Sequence, residues 1–294
     1  MFPLVCELAD DGIDVTVACR VLNVSRSGYY EWRTGVKSGR AQQNELLAKV
    51  IEKIHSESRG TYGAPRVHAE LVLGLGERVN HKRVARLMRE AGLQGLYRRR
   101  TRRCTRRDPA ADPYPDLVDR DFTAAGPDRL WVTDITEHHT REGKIYAAAV
   151  LDVYSRRIVG WSIDDNMRTE LVTDALGMAI LRRKPISDGS TVLHSDHGSQ
   201  FTSWAFGRRL VEAGIVPSMG SIGDCYDNSM MESFWGTMQL ELLDSRKWES
   251  RTELATGIFE WIECWYNPIR RHSSIGMLSP VDFEARHTSP DQDH

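Results

Sequence analysis

Three β-rich runs follow one another in residues 129–165, RLWVTDITEHH, KIYAAAVLDVYS and RIVGWSIDD, parted only by short turns around Glu142–Gly143 and Arg156–Arg157. Runs so rich in β-branched and aromatic residues, so closely joined, predict a three-stranded antiparallel meander. The pattern then predicts a helix over 169–183, a fourth strand in TVLHSD, a helix over 202–213, a short strand in IVPSM and a helix opening near Asp227. The order β-β-β-α-β-α-β-α places the region in the α/β class, with a mixed five-stranded sheet flanked by helices.

The residues before this region read differently. Val15–Arg33, VTVACRVLNVSRSGYYEWR, has helical apolar spacing, a turn at VLNVSRSG and then an aromatic helix, the layout of a helix-turn-helix. A second unit, from Leu46 to Leu96, repeats helix, turn and helix through RGTYGAPRVHAEL and RVNHKRVARLMREAGL. On its last helix His81, Lys82, Arg83, Arg86 and Arg89 form a basic stripe opposite Val84, Leu87 and Met88. The run RRRTRRCTRR, Arg98–Arg107, holds seven arginines in ten residues, a density that cannot pack in a core and suits phosphates. A nuclear-localisation signal is the competing reading of that run, and nothing else in the chain indicates a nucleus. DPAADPYPDL, which follows, has the composition of an interdomain linker.

The net charge of -2 conceals a split: residues 1–108 carry 21 Lys and Arg against 12 Asp and Glu, and the remainder carry 18 against 29. A basic front suits a polyanion, and an acidic back suits metal ions. A content of 40% hydrophobic and 27% charged residues describes a soluble globular chain. No apolar run approaches the roughly 20 residues that span a bilayer, and the start is acidic where a signal peptide is basic, so no membrane is expected. The five scattered cysteines include no CxxC pair, which predicts reduced thiols and a cytoplasmic location.

Three acidic residues fall at telling points of this layout. Asp134 lies within the first strand, Asp196 ends the fourth, and Glu232 sits one turn into the helix opened by CYDNSMMESFW. Asp227 or Asn228 can cap that helix, and Asn228 and Glu232, four apart, share a face. Asp196 stands between His194 and His197 in VLHSDHGSQF, which leaves two chemistries open. Histidine and aspartate can hold zinc, or Asp196 alone can be a hard oxygen ligand for magnesium. The zinc reading needs further soft ligands, and no Cys/His pair has finger-like spacing.

WVTDIT, HSDHGSQF and DNSMMESFW, with 35 residues between the second and third carboxylates, resemble the catalytic triad of the retroviral-integrase-like DDE transposases. More narrowly, the chain resembles the second-frame product of bacterial insertion sequences that encode a transposase in two overlapping frames. The closing WYNPIRRHSSIGMLSPVDF is similar to that family's final motif, and YGAPRVHAEL and SRSGYYEW are similar to its DNA-binding region. The resemblance implies a ribonuclease-H-like catalytic core with a C-terminal helical extension over 123–287. Ahead of it come a helix-turn-helix-like segment over 1–40, a second helical DNA-binding domain over 45–97 and a linker over 98–122; a disordered tail follows at 288–294.

On this resemblance Asp134, Asp196 and Glu232 are catalytic and together ligate two magnesium or manganese ions, one activating the attacking oxygen and one stabilising the leaving oxygen. A 3′-hydroxyl is exposed at an element end and attacks a second phosphodiester, with no covalent protein–DNA intermediate. The partners implied are double-stranded DNA, both the element's terminal inverted repeats and the target, further copies of the chain in a homo-oligomer, and the upstream-frame protein. The setting implied is the cytoplasm, in association with the nucleoid. Residues expected at DNA are His197, Gln200, Asn228 and Gln239 near the triad, Lys82, Arg83 and Arg86 on the basic stripe, and Arg98, Arg99, Arg100, Arg102 and Arg103 in the arginine run. Gln200 and Asn228 can equally serve a turn or a cap, and Asp152 can support the metal site or pair with Arg156 or Arg157. His194, Trp204, Trp235, Trp261 and Trp265 are expected in the core.

One position departs from the family. A Lys or Arg usually follows the catalytic glutamate by seven residues, on the same helix face, and this chain has Gln239 there. The charge available to a DNA phosphate is lost. Two further readings therefore stand beside the transposase: a catalytically silent DNA-binding regulator of transposition, and a hydrolytic nuclease of the same fold.

Overall fold

The structure is a computed structural model, and it describes residues 1–35, 37–97, 115–118, 122–185, 188–196, 198–220 and 229–288. The chain divides into two compact units, Met1–Gly95 and Leu96–His294.

The first unit is helical among its described residues. Helices α1 (Phe2–Asp10), α2 (Val15–Val21) and α3 (Arg26–Thr34) close on Val5, Ala18, Cys19 and Tyr29, with Phe2, Leu8 and Leu22 around them. The side chains of Asp14 and Ser25 cap α2 and α3 by accepting the N–H groups of Thr16 and Gly28. Asn23, at φ 52, turns the chain between them, a conformation that asparagine tolerates. Helix α1 is an addition to the expected pair. At nine residues it is too short to be stable alone, and Val5 and Leu8 are held by what they pack against. Helices α4 (Gly39–Glu57), α5 (Ala64–Ala69), a π-helical turn over Glu70–Gly74 and α6 (His81–Glu90) bury Ile51, Ile54, Tyr62, Val67, Leu71, Val84, Leu87 and Met88. A Cβ on Gly95 would stand 2.3 Å from the Gly63 nitrogen, so only glycine lets that strand of backbone come so close.

The second unit is built on a five-stranded sheet of order β3-β2-β1-β4-β5. Strands β1 (Leu130–His139), β2 (Lys144–Asp152) and β3 (Ile158–Asp164) form the expected antiparallel meander, and β4 (Val192–Ser195) pairs in parallel with β1 and β5 (Val216–Met219) in parallel with β4. Arg156, at φ 65, turns β2 into β3. Helices α7 (Thr169–Arg183) and α8 (Trp204–Glu212) supply the crossovers that the parallel strands require. Their apolar faces meet Trp131, Ala148, Val150, Val159 and Leu193 from the sheet in one core. A Cβ on Gly160 would lie 2.1 Å from the Ala175 carbonyl, so this glycine sets how closely α7 approaches β3. Helices α9 (Ser229–Glu241), α10 (Arg251–Glu260), a π-helical turn over Trp261–Tyr266 and α11 (Pro280–Thr288) complete the described part. This is the mixed-sheet, ribonuclease-H-like architecture. Of the expected linker, Pro115 and Leu117 lie along β5, where Leu117 N–H donates to Ser218 Oγ at 2.9 Å and the Pro115 carbonyl accepts from Met219. The Pro/Asp-rich stretch before it and residues 289–294 lie outside the described residues.

Two expectations need correction. Trp204 is 76% exposed rather than in the core, because it opens α8 on the side away from Phe206 and Leu210, and its ring carries the Arg208 guanidinium at 5.2 Å. Asp152 pairs with neither Arg156 nor Arg157. It is fully buried, accepts the N–H groups of Asp128 at 2.7 Å and Ser155 at 3.1 Å, and has Arg183 of α7 at 3.7 Å. Arg157 turns instead to Glu284 of α11, which also takes Arg183 at 2.9 Å, so one carboxylate ties the last helix to the turn before β3 and to α7.

Candidate active site

Parallel pairing of β1 and β4 matches Leu130 with Val192 and Val132 with His194. Asp134 lies two residues beyond Val132 in β1, and Asp196 two residues beyond His194, near enough for its charge to act on Asp134. Asp134 is partly buried, and Asp196 stands exposed just past the end of β4. Their hydrogen bonds are local: Asp134 Oδ1 accepts the Ile135 N–H at 2.8 Å, and Asp196 Oδ1 accepts the Gly198 N–H at 3.0 Å.

The third carboxylate arrives on α9. Trp235 Nε1 donates to Asp134 Oδ2 at 3.1 Å, and Glu232 precedes Trp235 by three residues, so the two are neighbours on one helix face. The residues before α9, including Asp227 and Asn228, are outside the described residues. Burial pushes the Asp134 carboxyl up to about 7, the Asp196 charge adds to it and the Glu232 charge adds less, so the three acids share one field. Among the described residues no three His, Cys, Asp or Glu side chains stand close enough to form a ready metal-binding group. Trp235, expected only as core, has a second role as the donor that orients Asp134. The signal was present in the sequence as its spacing of three from Glu232, but its direction is set by packing.

The other predicted residues are dispersed. His194 is buried, with Nδ1 at 3.0 Å from Ser218 Oγ and its ring edge-on to Phe122. Gln200 donates to the Met167 carbonyl at 3.3 Å, a tie between loops. Gln239 is exposed two turns beyond Glu232 and donates to Asp244 Oδ1 at 2.5 Å. In the first unit Lys82 is exposed, Arg83 donates to Asn44 of α4 at 2.9 Å, and Arg86 pairs with Glu90 at 3.1 Å. His197, Arg98, Arg99, Arg100, Arg102 and Arg103 lie outside the described residues.

The architecture agrees with comparisons to known proteins. Residues 124–225 and residues 213–280 each match an integrase core domain family, and residues 42–101 match an HTH-like domain family. A transposase of insertion sequence element IS629 from Shigella sonnei is 38% identical over 97% of this chain and 95% of its own length. Transposase InsF of insertion sequence IS3A from Escherichia coli strain K12 is 37% identical over 92% of this chain and 93% of its own. An uncharacterized 31 kDa protein of insertion element IS600 from Shigella sonnei is 37% identical over 92% of this chain and 98% of its own. With an integrase core behind an HTH-like domain, and kinship of this depth over nearly its whole length, the chain belongs to the insertion-sequence transposases, DDE polynucleotidyl transferases of the integrase superfamily.

Proposed function

We propose that the chain cleaves one strand at each end of its element and joins the freed 3′-hydroxyl to target DNA by direct transesterification, using Asp134, Asp196 and Glu232. What carries this reading is the meeting of strands β1 and β4 with the Glu232 face of α9 at a carboxyl held at about 7. The charges of Asp196 and Glu232 both act on Asp134, a field that cations would offset, and all three acids offer oxygen donors, the preference of magnesium and manganese. Bound there, two such ions would activate the attacking oxygen and stabilise the leaving one. The protein's own part is to orient Asp134 through Trp235, to keep water from one side of it, and to present Asp196 and Glu232 towards solvent, where a DNA strand has access.

The DNA contacts belong to the same proposal. Lys82 and Arg86 from α6 and the arginines of 98–103 take phosphates in the end-binding part, while His197, Gln200 and Asn228 lie near the reacting strand. Residues 1–40 and 45–97 act as two DNA-binding modules, 98–122 as the connection and 123–287 as the catalytic core. Cleavage of two ends and their joining call for more than one copy on DNA, and the upstream-frame protein is a further partner, at the nucleoid. The test is an assay of cleavage and joining on the element's own ends with magnesium or manganese. Joined product supports the transposase, cleavage without joining supports the nuclease, and binding without reaction supports the silent regulator.

Gln239 yields a prediction that the structure reshapes. A lysine at 239 meets Asp244, the present partner of Gln239, so part of its charge is spent within the protein. Gln239→Lys alone therefore steepens the salt dependence of end binding by less than one phosphate contact. Gln239→Lys with Asp244→Asn steepens it by about one, read as the slope of log affinity against log salt.

The titration of Asp134 gives another. Its carboxyl ionises near 7 in the native state against 3.8 for the ordinary group, so between those values the native chain keeps a proton that the unfolded chain has lost. Stability from this source is present at low pH and falls as pH rises through that window. In chelator, Asp134→Asn is expected to gain on the wild type by on the order of 2 to 4 kcal/mol between about pH 4 and pH 8, read from denaturant midpoints at each pH.

A further inference from the structure

Glu241 ends α9, where the helix dipole is negative, and it is buried. A carboxylate in that place is costly unless it is paired and fully bonded. Arg270 supplies the pairing: its Nε lies 3.0 Å from Oε1 and 2.9 Å from Oε2, and its Nη2 reaches Oε1 at 2.7 Å. Trp265 Nε1 donates to Oε2 at 3.4 Å. Arg270 is itself buried, beside His272 and over the ring of Tyr266.

Three residues before Arg270, Asn267 is fastened to the sheet. Its Oδ1 accepts the Ile158 N–H and its Nδ2 donates to the Ile158 carbonyl, both at 2.9 Å, at the first residue of β3. The segment WYNPIR therefore grips β3 with one side chain and α9 with another. Glu232 and Glu241 are nine residues apart, two and a half helical turns, and so leave α9 from opposite sides. Apolar contacts such as those of Met231, Phe234 and Met238 tolerate sliding and rotation of a helix, whereas a forked ion pair fixes one register.

We propose that Glu241 and Arg270, anchored on β3 through Asn267, are positioning residues: a brace that sets the rotation and height of α9 on the sheet, and with them the placement of Glu232 beside Asp134 and Asp196. The proposal rests on the reading of those three carboxylates as the reacting site.

The test uses the full chain with Glu241→Gln, which keeps the shape but loses the charge and one of the two oxygens that accept from Arg270 and Trp265, Arg270→Lys, which keeps charge but loses the fork, and Glu232→Gln. On element ends with magnesium, the two brace variants are expected to cleave ten- to a hundredfold more slowly at saturating DNA, with the Kd for DNA ends within threefold of wild type. Amide hydrogen exchange in 229–241 is expected to quicken at least tenfold, while that in 144–152 stays within threefold. If Glu232→Gln abolishes cleavage while both brace variants cleave within threefold of wild type, the brace is refuted. Equal quickening of 229–241 and 144–152 refutes it too, since the pair then contributes only general stability. Undiminished cleavage by Glu232→Gln overturns the carboxylate reading and the brace with it, a pattern distinct from the other two.

Discussion

Asp196→Ala is expected to lower strand cleavage at element ends by at least about a thousandfold, the loss expected when a charge-stabilising group is removed from a reaction of this kind. Asp134→Ala and Glu232→Ala are expected to do the same, and none of the three to weaken DNA binding more than a few fold. The reason for that separation is charge. The acids repel phosphates, and the arginines and lysines that attract them are concentrated in residues 1–108. The triple substitution should be scarcely worse than any single one, because groups that act as a unit are lost together. Cleavage by Asp196→Ala at close to the normal rate would remove these residues from the chemistry. Asp134→Ala carries a second signature: it leaves the Trp235 indole without its acceptor, so a change in tryptophan emission should accompany it and be absent in Asp196→Ala.

The second large effect concerns salt. A protein of residues 1–107, which contains the first compact unit and the arginine run, is expected to bind duplex DNA with an affinity that falls about 10³-fold or more between 50 and 200 mM salt, as for some six or more neutralised phosphates. Residues 120–294, with their acidic excess, are expected to bind weakly at either concentration. Replacing Arg98, Arg99, Arg100, Arg102 and Arg103 by serine should flatten the slope of the first protein by several contacts. Replacing Arg83 should act chiefly on its stability, since Arg83 already bonds Asn44. Equal affinity of the two proteins, or binding indifferent to salt, would overturn the assignment of DNA binding to the front of the chain.

Much of the architecture was legible because it is written in local patterns. β-branched and aromatic content marked β1 to β3, and the expected helix over 169–183 coincides with α7, since strand propensity and helix period are properties of neighbours in sequence. The spacing of Asp134, Asp196 and Glu232, and the resemblance it carries, were likewise a matter of order along the chain. Helix α1 was not legible, because nine residues have no helical stability of their own and Val5 acquires its burial from α2 and α3.

What only the tertiary structure decided is which groups meet. Sequence placed Trp204 and Trp235 alike in the core; packing left the first exposed and aimed the second at Asp134, because the direction of an indole depends on what the other face of its helix rests against. Asp152 was read as a support of the metal site or a partner of Arg156 or Arg157, yet the cation beside it is Arg183 of α7 rather than its neighbours in sequence. Glu241 carried no signal at all. Its partner is 29 residues away, and a buried ion pair of that kind exists only once α9 and the C-terminal segment have been brought together. The order of the residues thus determined the elements and the chemistry available, and long-range packing decided which side chains hold that chemistry in place.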